Sequence, residues 1–260
     1  MTACQSDPDI DITKLGLESD SPELLYKQGL ANMNAGNLTE AGRKFEAIDK
    51  QNPFTEWGQK ALVMQTFVYT RQNRNEQAIA SGNRFLRQYP RSKDAGYVQY
   101  LVGLSYSKQI VDVTQDQRAA ARTIDAMSKV VNDYPDSEYV SDAQAKIRFA
   151  RDQMAGKEMQ VGRYYLERKE YLAAISRFRV VIEQYQNTNQ IEEALARLVE
   201  SYYAMGLSDE AQTAAAVLGN NYPDSQWYAD SFKLLRSGGL EPRENKGSWI
   251  SRAGLKLAGA

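Results

Sequence analysis

VGRYYLERKEYLAAISRFRVVIEQY, residues Val161 to Tyr185, is the stretch from which the rest of the chain can be read. Gly162 is followed three residues on by Tyr165, twelve on by Ala174 and sixteen on by Phe178. A short polar run, Glu167-Arg168-Lys169-Glu170, lies between the tyrosine and the alanine. This spacing predicts a helix, a tight turn and a second helix. The glycine lets two backbones approach, the tyrosine fills the gap, and Ala174 and Phe178 form the facing stripe of the second helix. The same spacing recurs along the chain, which makes it a repeat protein.

Working outward, the first repeat carries Leu25, Gly29, Ala41, Phe45 and Pro53, with Asn34-Ala35-Gly36-Asn37 as its turn. Its helix begins at Ser21-Pro22-Glu23, an N-cap serine followed by a proline suited to the first helical position. The repeats close on Asn52-Pro53, Tyr89-Pro90, Tyr134-Pro135, Tyr185-Gln186 and Tyr222-Pro223, each followed by a Ser or Thr expected to cap the next helix. The steps from 53 to 90, 135, 186 and 223 are 37, 45, 51 and 37 residues. The first long step is assigned to a longer loop over Ile110–Gln117 in the third unit. The second falls in residues 138–160, which lack proline, and predicts one helix lengthened by about four turns. The fifth unit runs from Ile191 to Pro223, and Asp224 to Leu235 reads as a helix covering the last repeat.

Four segments follow from this: a flexible tether over 1–20, repeats one to three over 21–137, the long connecting helix with repeats four, five and a capping helix over 138–236, and a flexible tail over 237–260. Within the tail, Trp249–Leu257 is a small apolar-basic segment. The fold class is all-α, a solenoid of five helix pairs.

Composition removes several functions. The 260 residues hold no histidine and one cysteine, Cys4, which takes away the commonest general base and the His/Cys zinc sites. No cofactor or metal is expected. A formal net charge of −1 gives no surplus of basic residues for nucleic acid. No apolar run approaches the roughly 20 residues of a bilayer span. Cys4, behind the small residues Thr2-Ala3 and ahead of a polar stretch, resembles the end of a bacterial lipoprotein signal whose hydrophobic part is trimmed. On that reading acyl chains on Cys4 anchor the protein to a membrane that it otherwise does not enter. The plain alternative is an idle cysteine at a frayed terminus.

Helix pairs with Gly, Tyr, Ala, Phe and Pro at these places resemble the tetratricopeptide repeat, a right-handed α-solenoid. The fit is degenerate, with Gly82 where Phe is usual and Thr123 where Ala is usual. NPFTEWGQKALVMQ, RFLRQYP, YVQYLVGLSY, KVVNDYPDSEYVSDA and GRYYLERKEYLAAISRF, with five units and a lengthened helix before the fourth, resemble the BamD (ComL) family over residues 21–235. That resemblance implies a non-enzymatic lipoprotein scaffold of the bacterial outer-membrane β-barrel assembly machine, on the periplasmic face. It implies that C-terminal repeats bind a POTRA domain of BamA, with Arg177 matching a family arginine that takes part. N-terminal repeats are implied to receive unfolded outer-membrane proteins. Gln5-Ser6 lacks the aspartate of an inner-membrane retention signal, which points to the outer membrane.

Two groups of candidate residues follow. In the N-terminal repeats, Phe54 and Trp57 sit in the loop before the third helix, and Lys60 and Tyr69 lie along it. Aromatics beside a cation suit a β-strand that ends in an aromatic residue and a carboxylate; the alternative is packing between repeats. In the fourth unit, Arg177, Arg179 and Tyr164 are the candidates for BamA. Each arginine either meets an acidic partner or pairs with Glu183 on its own helix. Arg84, Arg87 and Arg91 form a basic edge, either binding or simply solvated. A periplasmic adaptor of the YbgF-like kind is the competing reading, but it would carry a coiled coil before the repeats, and no heptad run is present. A carboxylate pair such as Asp133/Asp136 or Glu192/Glu193 could act as acid and base in an enzyme, but both pairs fall at helix ends where acids act as caps.

Overall fold

The computed structural model describes residues 20–257, with side chains to residue 254. The lipidation candidate Cys4 and nearly all of the segment read as a tether lie outside the described residues. Within them the chain is a succession of α-helices with no strand: α1 Pro22–Asn34, α2 Leu38–Gln51, α3 Glu56–Arg71, α4 Asn75–Gln88, α5 Ala95–Ser107 and α6 Arg118–Asp133. These are followed by α7 Val140–Glu167, α8 Tyr171–Gln184, α9 Ile191–Ala204, α10 Ser208–Asn221, α11 Gln226–Ser237 and α12 Trp249–Leu257. The described residues divide into two compact units, which part after Val98. In the first, α1 to α4 pack consecutively; in the second, α6 to α10 do so, α11 lies on α9 and α10, and α12 on α10. This is the packing of a tetratricopeptide-like α-solenoid.

Local chemistry sets the helix ends. Ser21 accepts a hydrogen bond from Leu24 N at 3.3 Å with Pro22 in the first turn, and Asn37 accepts one from Glu40 N at 3.2 Å. The four short turns inside helix pairs share one device. Gly36, Asn73, Lys169 and Gly206, each two residues before the second helix, have φ of +77°, +57°, +61° and +74°. The left-handed residue lets the next N–H reach back to a carbonyl of the closing turn, as from Glu170 N to Tyr165 O at 2.9 Å. The repeat-closing residues share another backbone conformation: Asn52, Tyr89, Tyr134, Tyr185 and Tyr222 have φ between −123° and −137°.

The Ser/Thr residues after these closures act less uniformly than expected. Thr55 caps α3, accepting from Gly58 N at 3.1 Å. Ser92 and Ser137 instead accept from residues two ahead, Asp94 N and Tyr139 N. Their helices start three residues later, so these hydroxyls shape the turn and leave the helix end alone.

A glycine-to-aromatic contact holds the first and fourth pairs together. A Cβ on Gly162 would lie 2.4 Å from the Phe178 ring, and one on Gly29 2.7 Å from the Phe45 ring. Met127 plays the same part against Gly103. Phe45, Phe178 and Met127 are fully buried.

The lengthened helix is continuous: α7 has 28 residues where α8 has 14. Its middle is not a bare rod, because Ala155, Gly156 and Met159 are buried. The long α5–α6 loop covers part of it. A Cβ on Gly156 would meet Val113 at 3.1 Å, and Lys157 Nζ donates to Thr114 O at 2.8 Å. The C-terminal segment differs from the expectation of a flexible tail over 237–260. Residues 241–245 run along α10, with Arg243 N donating to Gln212 O at 3.3 Å and Asn245 N to Thr213 Oγ1 at 3.2 Å. Helix α12 then buries Ile250 and Ala253 in the core of the second unit. So short a helix is marginal alone; docking of its apolar face stabilises it.

Candidate partner-binding surfaces

In the first unit, the turn after α2 presents Phe54 to solvent, 75% exposed and with φ +64°. The positive φ makes the Asn52–Thr55 turn, in which Thr55 N donates to Asn52 O at 3.4 Å, but the exposed ring itself is not accounted for by packing. Trp57 is not in the loop but in the first turn of α3, because Thr55 caps the helix two residues earlier. It is half-buried in the core of α1 to α3, its ring 5.5 Å from that of Tyr26. Lys60 Nζ stands 4.9 Å from the Trp57 ring centre and 2.6 Å from Glu56 Oε1. The hydrogen bond with Glu56 raises the lysine pKa and lowers that of the carboxyl. Phe54, Trp57 and Lys60 thus fall within two helical turns of chain. Tyr69 does not join them: twelve residues beyond Trp57 on a straight helix is about 18 Å along and about 120° round. It sits under Arg74, whose guanidinium is 4.9 Å from the ring. Tyr26, which sequence reading missed, completes the aromatic cluster; its place three residues before Gly29 is the corresponding signal.

In the second unit, Arg177 and Arg179 are two positions apart on α8, which turns them about 200° from each other. Arg177 pairs with Glu158 of α7 at 3.2 Å, not with Glu183. Arg179 does pair with Glu183 at 2.9 Å, and its guanidinium stacks 4.7 Å from the Trp249 ring of α12. Trp249 also packs on the cluster that holds Tyr202, whose hydroxyl pKa is raised by burial and pulled back by the indole. Tyr164 is 54% exposed, edge-on to Tyr165 at 5.6 Å and beneath Arg168 at 5.3 Å. The three candidates therefore lie on separate parts of the α7–α8 surface, with Arg179 engaged twice and Arg177 in one ion pair.

Both carboxylates of the pair Glu192/Glu193 are engaged between helices. Glu192 accepts from Ser225 Oγ. Glu193 binds Arg163 at 2.6 Å and Arg197 at 3.3 Å, and Arg197 lies over Trp227 at 5.0 Å. Asp133 and Asp136 are exposed at the end of α6. On the basic edge, Arg84 is tied to Asp49 of α2, while Arg87 and Arg91 are exposed. Among the described residues no helix is long and apolar enough to cross a membrane.

The model of the outer membrane lipoprotein family YfiO matches residues 18–218. The outer membrane protein assembly factor BamD of Caulobacter vibrioides is 43% identical over 220 residues, covering 85% of this chain and 72% of that protein. BamD of Rickettsia prowazekii is 38% identical over 213 residues, 82% of this chain and 85% of its own length. BamD of a serogroup A strain of Neisseria meningitidis is 28% identical over 243 residues, 90% of this chain and 91% of that one. Extending from α1 into the last turn of α10, the family match, with these relatives, establishes that the chain belongs to the YfiO family of outer membrane lipoproteins, alongside the BamD assembly factors.

Proposed function

We propose that this protein is a lipid-anchored scaffold of the outer-membrane β-barrel assembly complex, held at the periplasmic face of the outer membrane through Cys4. It binds a POTRA domain of BamA through its C-terminal repeats, with Arg177, Arg179 and Tyr164 in contact. It receives unfolded outer-membrane proteins on its N-terminal repeats, through Phe54, Trp57, Lys60 and Tyr69, and performs no chemistry itself. The observation that carries this reading is the 43% identity to an outer membrane protein assembly factor over 85% of the chain. Two features support the residue assignments. Phe54 is a largely exposed aromatic whose ring no core packing accounts for. Arg177 is a partly exposed arginine held by a single ion pair, which a competing carboxylate can replace.

The test is a pull-down of the full chain with the BamA POTRA domains, with and without Arg177→Glu. Binding by the unmutated chain that falls about tenfold or more in the variant supports the reading. Absence of binding by the unmutated chain rejects it.

A further inference from the structure

We propose that the N-terminal half of α7 carries a separate binding site for an extended acidic peptide segment, seated on Arg148 and Arg151. This inference does not rest on the functional reading above. It starts from an imbalance in the second unit. Arg163, Arg177, Arg179 and Arg197 each hold a glutamate. Arg148 and Arg151 are both exposed, and neither has an ion pair or hydrogen bond among the described residues. They stand one turn apart on the same helix, where like charges disfavour each other by a few tenths of a kcal/mol. Folding alone gives no reason for that placement.

The two arginines line a pair of adjoining clefts of about 240 and 270 Å³, which share Arg148 and Asn187. The first lies between α6 and α7 and offers Ile147 and Gln144. The second lies between α7 and the α8–α9 turn, with the 46% exposed Phe149 at its edge. Its wall is fixed, because Asp152 Oδ1 accepts a hydrogen bond from Asn189 N at 3.0 Å and holds the turn against α7. That bond also occupies the one carboxylate in the cleft lining.

The spacing selects the ligand. Residues i and i+3 on a helix have Cβ atoms about 5–6 Å apart. Alternate residues of an extended strand are about 6.6 Å apart on one face. A segment with Asp or Glu at alternate positions thus sets one carboxylate on each guanidinium, and each pair can be bidentate. Amide side chains at the site suit the peptide backbone, and Ile147 and Phe149 suit an apolar residue beside the acids. A membrane surface fits less well, since the exposed Asp133 and Asp136 on the neighbouring turn repel a continuous sheet of anionic headgroups.

The probe is a fluorescein-labelled heptapeptide, Gly-Asp-Ile-Asp-Phe-Asp-Gly, titrated with the full chain by anisotropy, beside the same peptide with Asn for every Asp. The site predicts about tenfold or greater preference for the acidic peptide, and about tenfold or greater loss in R148E/R151E. R87E/R91E, which reverses an exposed arginine pair in the other unit, should stay within about twofold. If charge reversal lowers the melting temperature, R148Q/R151Q is read by the same criterion. Equal affinity for the two peptides, or unchanged affinity in both α7 variants, overturns the proposal. So does co-sedimentation with phosphatidylglycerol vesicles that needs Arg148 and Arg151 while the peptide fails to bind.

Discussion

Lys169 shows most directly how single residues set the economy of the repeat. It holds φ +61° in the turn between α7 and α8, at the position where two other turns place Gly36 and Gly206. A side chain in that region costs about 1–2 kcal/mol, while glycine returns about 0.5–1 kcal/mol of that through its freer unfolded chain. Lys169→Gly should therefore stabilise the protein by about 0.5–1 kcal/mol, seen as a higher urea midpoint at unchanged slope. A lower midpoint would mean that the lysine side chain contributes something the turn geometry does not explain. The glycine-to-aromatic contact makes a sharper case. Gly162 faces Phe178, but at the corresponding places the second pair has Thr66 and Gly82, and the fifth has Val199 and Ala215, buried in one cluster. Volume lost on one helix is regained on the other, so the degenerate positions of the sequence pattern are compensated exchanges. Thr66 also bonds Ser81 Oγ at 2.9 Å, using the space that the missing ring leaves. Gly162→Val alone should destabilise by about 1–3 kcal/mol through overpacking, and Phe178→Ala by about 3–5 kcal/mol. The double variant should cost less than the sum by about 1 kcal/mol or more, measured by denaturant unfolding. Strict additivity would refute the exchange.

At the scale of elements, the two irregular repeat steps turn out to be one structural fact. The sequence assigns extra residues to a loop in the third unit and to a helix in the fourth, as separate events. In the structure the loop lies on the helix, with Val113 over Gly156 and Thr114 O accepting from Lys157. An over-long helix exposes a mid-section that no partner helix of ordinary length covers, and the loop supplies that cover. Replacing residues 110–117 by one glycine, which restores a turn of ordinary length, should raise amide hydrogen exchange in residues 152–160 by about tenfold or more. Val113→Asp should do the same more weakly, whereas unchanged protection would mean that the loop only rests there. This also shows what could be read from sequence. Helix pairs, turns and the extension announce themselves through period and breakers, since each depends on residues within one repeat. The Arg177–Glu158 pair, the Trp249 contact with Arg179 and the seat of α12 join residues on different elements at no fixed period. Helix α12 was hidden for a further reason: a Gly-rich polar linker precedes it, and nine residues carry little intrinsic helicity. Trp57 moved from loop to helix because a cap decides the helix start, and two residues changed its setting.

At the scale of the molecule, a solenoid gathers its stability from neighbours, so its last helices face a problem that internal ones do not. The second unit meets it twice. Helix α11 covers α9 and α10, as the sequence pattern anticipates, and the 241–245 strap with α12 then covers another face of α10. Ile250 is wholly buried, Ala253 nearly so, and Trp249 ties α12 to both Arg179 and Tyr202. Full burial of a large apolar side chain is worth about 1.5–3 kcal/mol. Ending the chain after Gly239 should therefore lower the stability of the second unit by about 3–5 kcal/mol. Nearest-neighbour coupling predicts where that loss appears. Hydrogen exchange should speed most in α10, less in α8 and α9, and remain as before in α1 to α3, whose core is built from their own residues. Trp249→Ala should give the same gradient at smaller amplitude, because it removes the ring that α8 and α9 share but leaves Ile250 in place. A uniform loss across both units would show that the C-terminal strap contributes to a global transition. Loss confined to α11 would show that α10 does not depend on its second cover.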